Sequence, residues 1–326
     1  MNLLCYGASV TAQKFETGYF QHLCESTLSE VYTNIERVTF GASQYEYAGY
    51  AFISDVLAKK PDVCVIDWLT PGMKGFNQYK ISLLNKALVA QNCLPVWVFF
   101  PRTNNFDDLP EAFWQVKKDA ENFNVPFINL LDHMHDFKED PAKYLRDAVH
   151  STKEGAAIYS KTIVESLLDI NLKVKLEEAK QSQGFQDAMD MDYQVPLVLK
   201  VNKSINNDSS IEISFDWLGG LFEMFFDTTV GPHVPLLNFC VYRDGEKEFD
   251  ERINPADPWC FYQRAMVVET LRKRLLKGTY RVVVSKLDEN PFLEKQTKKP
   301  IDVEVADSDR YLDIKRISMN SLAIIN

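Results

Sequence analysis

Apolar residues in the first half of the chain gather in short strand-length runs, unbroken at 3–6 and 96–100. These lie at 3–6, 35–40, 63–68, 96–100 and 126–130. Between them, at 19–29, 47–59, 78–91 and 111–122, apolar positions recur every three or four residues, and a last such segment occupies 153–168. An apolar run reads as a strand buried on both faces, and the longer spacing reads as an amphipathic helix. Their alternation predicts a parallel sheet wrapped by helices, a three-layer α/β/α domain over residues 1–172. Residues 173–194 are charged and helix-prone and are expected to form a helical linker. From 195 to 326 the signal turns to β, with strands expected at 195–201, 211–217, 221–226, 237–242, 280–285 and 301–305. Turn clusters at 206–208, 244–245 and 254–257 separate them. Such punctuation predicts a β-sandwich or jelly-roll-like accessory domain, with one helix at 267–276 interrupting it.

Composition narrows the picture modestly. A length of 326 residues, with 46% hydrophobic and 25% charged positions, suits two globular domains. The formal charge of −10 disfavours nucleic acid or an anionic membrane surface as the main partner. No apolar run is long enough to span a bilayer, so no transmembrane segment is expected. The first residues lack a basic region followed by a long apolar core, so a cytoplasmic protein is expected. The six cysteines show no CxxC pairing, and Cys5 and Cys64 fall inside strand-like runs. Neither a disulfide framework nor a zinc site is expected.

Two segments carry candidate chemistry. The first strand breaks at Gly7-Ala8-Ser9-Val10-Thr11, and Asp147-Ala148-Val149-His150 stands just before the helix at 153–168. A glycine lets the backbone turn sharply before a nucleophile. Serine becomes a nucleophile when a base takes its proton, and an imidazole works as that base when a carboxylate orients it. A three-residue spacing in a loop puts carboxylate and imidazole on one side. An α/β-hydrolase elbow would need glycine where Thr11 stands, so a different serine-hydrolase fold is indicated.

Together these segments resemble the SGNH (GDSL-type) hydrolase superfamily over residues 1–172. There the nucleophilic serine follows the first strand, and an Asp-x-x-His block precedes the last helix. The resemblance implies Ser9 as nucleophile, His150 as general acid and base, and Asp147 as its orienting group. It further implies an oxyanion hole drawing on the backbone of Ser9 and on Gly41, the glycine of the second block. In the third block, Val63 to Gly72, Thr70 matches the family threonine and is a candidate oxyanion contact, while Pro71 takes the place of an asparagine. Proline offers no donor, and one missing oxyanion donor costs about 3 kcal/mol in the transition state. Thr70, Asn77 or a second-domain side chain would then have to compensate.

The resemblance, with the appended β-domain, is to polysaccharide-modifying members. It implies a serine esterase acting on acyl, above all O-acetyl, esters of a small-molecule or glycan substrate, with no cofactor. Two alternatives stay open. One is a carbohydrate O-acyltransferase in surface-polysaccharide biosynthesis, using a donor such as acetyl-CoA; the other is a non-catalytic carbohydrate-binding or assembly protein that retains the scaffold. In the second domain, Trp259, Tyr262 and Arg264 are candidate substrate contacts, since aromatic rings with arginine suit sugar stacking. Edge packing would also account for them. Asp67, an acid ending a buried strand, needs a partner. His133 and His135 lack a further ligand cluster and read as surface histidines.

Overall fold

The structure is a computed structural model that describes residues 1–70, 77–103, 109–190, 195–293, 295–301, 305–320 and 323–325. It divides into two compact units, Met1–Val195 and Pro196–Asn326. The first unit opens with β1 (Asn2–Gly7), α1 (Ser9–Ala12), α2 (Tyr19–Cys24), α3 (Leu28–Val31) and β2 (Asn34–Thr39). A π-turn at Tyr45–Gly49 leads into α4 (Ile53–Ala58), β3 (Val63–Asp67), α5 (Gln78–Ala90) and β4 (Leu94–Phe99). Then come α6 (Glu111–Asn122), β5 (Phe127–Asn129), α7 (Pro141–Tyr144), α8 (Lys153–Asp169), α9 (Leu172–Gln181) and α10 (Gln183–Met189).

The five strands form one parallel sheet in the order β2-β1-β3-β4-β5. Every residue of β3 and β4 is buried, and so is β1 after its first residue. That is the burial on two faces which the apolar runs announce. Helix α2 packs on α8, whereas α5 packs on α6, α9 and α10. The strand order reverses between β1 and β3, and in such sheets ligands bind beyond the carboxyl ends at that reversal.

Of the stretch expected as a helical linker at 173–194, the described residues carry the helices α9 and α10 and belong to the first unit. Ala179 and Ala188 are fully buried, and a Cβ on Gly184 would lie 2.7 Å from the Phe123 ring. The charged residues of α9 mark its solvent face, not an absence of packing.

The second unit contains β6 (Leu197–Ile205), β7 (Ile211–Trp217), β8 (Gly220–Val230), β9 (Leu236–Arg243), β10 (Glu246–Ile253), β11 (Arg264–Leu275), β12 (Gly278–Leu287), β13 (Leu312–Met319) and β14 (Ala323–Ile325). They form two antiparallel sheets, β10-β9-β12-β7-β14 and β11-β8-β13-β6. Between these sheets Phe215 of β7 stacks on Phe222 of β8 at 4.7 Å, within a core that includes Phe226, Phe239 and Tyr280. The helix expected at 267–276 is corrected to strand β11. A register shift between Glu269 and Leu271 breaks its alternation, so buried pairs at Val267-Val268 and Thr270-Leu271 imitate helical spacing. The polar edge strand β10 carries no apolar run to reveal it. The strand expected at 301–305 falls largely outside the described residues.

Candidate active site

Close packing fixes the end of β1. A Cβ on Gly7 would sit 2.5 Å from Thr11 Oγ1 and 2.6 Å from the Asp67 carbonyl oxygen, so only glycine lets β1 and β3 end side by side. Ser9 follows, half-buried in the first turn of α1. The far end of that turn is held by Arg37 of β2. Its Nη1 donates to the carbonyls of Thr11 at 3.0 Å and Gln13 at 2.7 Å.

The segment between α7 and α8 is a closed loop. Leu145 bridges Ser151, and the Arg146 N–H donates to the His150 carbonyl at 2.9 Å. Inside it, Asp147 Oδ1 accepts from the N–H groups of Val149 at 2.9 Å and His150 at 2.8 Å. Asp147 Oδ2 also lies 2.9 Å from His150 Nδ1. Asp147 therefore builds the loop and orients the imidazole at once. Partial burial pushes its carboxyl up, but the backbone N–H groups of His150 and Val149 and the imidazole outweigh this and leave it below the usual carboxylate range.

A buried glutamine joins the two segments. Gln13 Nε2 donates to the carbonyls of Thr17 at 3.0 Å and Ser151 at 3.3 Å. Its Oε1 accepts from the Ser151 N–H at 3.3 Å. The side-chain amide thus pairs with Ser151 as a neighbouring strand would, four residues after Ser9 and one after His150. A second tie comes from the segment after β4, where the Thr103 N–H donates to the Ala148 carbonyl at 3.2 Å.

Asp67 ends β3 beside the turn that bears Ser9, its main-chain carbonyl accepting from the Ala8 N–H at 3.3 Å. Its Oδ2 accepts from Thr11 Oγ1 at 2.8 Å, and its Oδ1 accepts from the Thr70 hydroxyl. Tyr19 OH lies 3.0 Å from Thr11 Oγ1. Burial pushes the Asp67 carboxyl up to about 7, with the Thr70 and Thr11 hydroxyls offsetting part of the rise. This arrangement corrects the expectation for Thr70. Its one hydroxyl proton is committed to Asp67, so its side chain is not a free oxyanion donor. Pro71 lies outside the described residues. Asn77 caps α5, its Oδ1 accepting from the Tyr79 N–H at 3.0 Å. Gly41 is exposed, and a Cβ built on it meets nothing within 4 Å, so sterics alone do not demand glycine there.

In the second unit Trp259 and Tyr262 are about half exposed, with Lys298 Nζ 4.0 Å from the Trp259 ring centroid. Arg264 does not share their exposure. Its side chain is buried and paired with Asp257, which corrects its assignment as a substrate contact. His133 and His135 are exposed. Among the described residues no group of three or more His, Cys, Asp or Glu side chains is arranged to hold a metal ion. Burial pushes the Cys5 thiol up to about 12, too high for a thiolate nucleophile near neutrality.

Gln13, Arg37 and Arg102 were not legible as site residues. Arg102 is half-buried beyond β4, its Nη1 donating to the Thr70 carbonyl at 2.7 Å. Gln13 differs, since its distance of four residues from Ser9 was in view, but what it holds lies 138 positions further on.

No known family model matches the sequence, and no curated protein is similar to it. Solved structures are more informative. A two-domain esterase (CEX) active on acetylated mannans aligns over 100% of this chain and 92% of its own, with TM-score 0.62 at 13% identity. The chain shares the fold of that two-domain esterase. The same esterase co-crystallized with mannopentaose aligns over 98% of this chain and 90% of its own, with TM-score 0.62 at 13% identity. The acetyl xylan esterase AlAXEase aligns over 51% of this chain and 100% of its own, with TM-score 0.41 at 19% identity. Among the described residues no helix is long and apolar enough to cross a membrane.

Proposed function

We propose that this chain is a serine esterase that removes acyl groups, acetyl above all, from a carbohydrate. The observation that carries the reading is the pairing of His150 with Asp147 in a loop that Gln13 ties to the turn bearing Ser9. The esterase activity on acetylated mannans of the similar two-domain structure supports the substrate class.

With Nδ1–H given to Asp147, Nε2 is the imidazole nitrogen free to act as base. Ser9 Oγ attacks the ester carbonyl carbon while its proton passes to His150 Nε2. The carbonyl electron pair moves onto oxygen, where the backbone N–H groups of Ser9 and Gly41 receive it. The intermediate then collapses, the C–O bond to the sugar breaks, and His150 returns the proton to the leaving sugar oxygen. Water attacks the acyl-serine by the same route and releases the carboxylic acid. Asp147 stays ionised throughout and stabilises the imidazolium.

A fluorophosphonate probe, 4-nitrophenyl acetate and acetylated manno-oligosaccharides test this. The wild type should be labelled and should turn over both esters. Ser9→Ala should lose labelling and roughly a thousandfold or more in kcat. Labelling that persists in Ser9→Ala would assign the nucleophile elsewhere.

A further inference from the structure

Phe15 is the most exposed aromatic ring among the described residues, at 79% of its surface. It also holds the left-handed backbone conformation, with φ +58°. Of the six other described non-glycine residues in this conformation, four are Asn92, Asn124, Asn202 and Asp244, the types that tolerate it. The other two are Ala42 and Lys60, whose side chains are smaller or unbranched and flexible. A phenylalanine there crowds its Cβ against the backbone and gains no burial in return. Packing therefore does not explain why this residue stands at this position.

The turn that displays it is pinned from several sides. The Gly18 N–H donates to the Phe15 carbonyl at 3.0 Å, and Thr17 Oγ1 donates to the Lys14 carbonyl at 3.2 Å. Glu16 pairs with Lys153 of α8 at 2.9 Å. The Thr17 carbonyl accepts from Gln13 Nε2 at 3.0 Å and from Ser151 Oγ at 2.8 Å. The ring is thus carried by a turn bonded directly to the residue after His150. Strain held in place beside a candidate site is a signature of functional use.

We propose that Phe15 is a stacking subsite for a pyranose ring of the glycan that bears the acyl ester. This rests on the esterase reading above. The C–H face of a pyranose is apolar and weakly positive, which suits the negative face of an aromatic ring. The flanking Lys14 and Glu16 are exposed and polar, matching the hydroxyl edge of a sugar. A lone ring in a polar rim is too small for a protein-docking patch.

The test compares kcat/KM for acetylated manno-oligosaccharides with kcat/KM for 4-nitrophenyl acetate in wild type, Phe15→Ala, Phe15→Gly and Phe15→Trp. Loss of one ring contact should lower the ratio of the two about tenfold in Phe15→Ala and Phe15→Gly, mainly through KM for the oligosaccharide, and Phe15→Trp should restore it. Phe15→Gly should also unfold at a higher temperature than wild type, since glycine accepts the left-handed conformation. A ratio within about twofold of wild type in both Phe15→Ala and Phe15→Gly would overturn the proposal. So would a wild type that hydrolyses 4-nitrophenyl acetate but releases no acetate from the oligosaccharides. Turnover of 4-nitrophenyl acetate that survives Ser9→Ala would instead locate the failure in the esterase reading, and the proposal would fall with it.

Discussion

Asp67 is fully buried at the end of β3, and its carboxyl is bonded to the hydroxyls of Thr11 and Thr70 and to the Thr11 backbone N–H. With its folded pKa pushed up to about 7 by burial, the native state holds a proton that the unfolded chain releases near 3.9. Stability from this group is therefore complete below about pH 4 and declines as pH rises through about 7. Thermal melts from about pH 4 to about pH 8 check this, and the wild-type melting temperature should fall more steeply than that of Asp67→Asn. Parallel curves would mean that Asp67 titrates as an ordinary carboxylate. Gln13 is the second residue with a sharp consequence. Gln13→Ala leaves the buried N–H and carbonyl of Ser151 without their partner, a loss of about 1–3 kcal/mol. Per-site kcat on 4-nitrophenyl acetate, normalised by fluorophosphonate titration, should drop about tenfold or more because the His150 loop loses its tie to α1. A drop below about threefold would show that the loop holds its place unaided.

At the scale of elements, α8 is set against α7 with almost no clearance. A Cβ on Gly155 would lie 2.2 Å from the Tyr144 carbonyl oxygen, and the Thr152 hydroxyl both caps α8 and donates to the Lys143 carbonyl at 2.6 Å. Gly155→Ala should cost about 1–3 kcal/mol by denaturant unfolding, since backbone lies in the way rather than a flexible side chain. It should also lower activity, because the start of α8 carries the His150 loop. The parallel sheet was legible because its inner strands β1, β3 and β4 are buried on both faces and lie in largely apolar runs. Ser9, Asp147 and His150 stood out as candidates by type and local spacing, and the structure pairs the last two. Strand β11 was not legible, since its bulge shifts the alternation between Glu269 and Leu271. Nor were Gln13 and Arg37, whose roles are backbone contacts across the fold that leave no local signature.

For the whole molecule, the reversal of strand order brings the ends of β1 and β3 together, and with them α1 and Thr70. The remaining piece, the loop of Asp147 and His150, arrives from the far end of the first unit. The Gln13–Ser151 pairing spans 138 positions. Contacts of such separation form late, after shorter loops have closed. In refolding experiments, fluorophosphonate labelling of Ser9 should return no earlier than the fluorescence change that reports burial of Trp68 and Trp97. Labelling that precedes it would mean that Ser9 is activated without the loop. The same separation bears on biosynthesis. On the esterase reading, a nascent chain that already holds Ser9 has no base to activate it until His150 has been added. On that reading the nascent polypeptide is chemically silent, and hydrolysis begins only once Ser9 and the His150 loop are folded together.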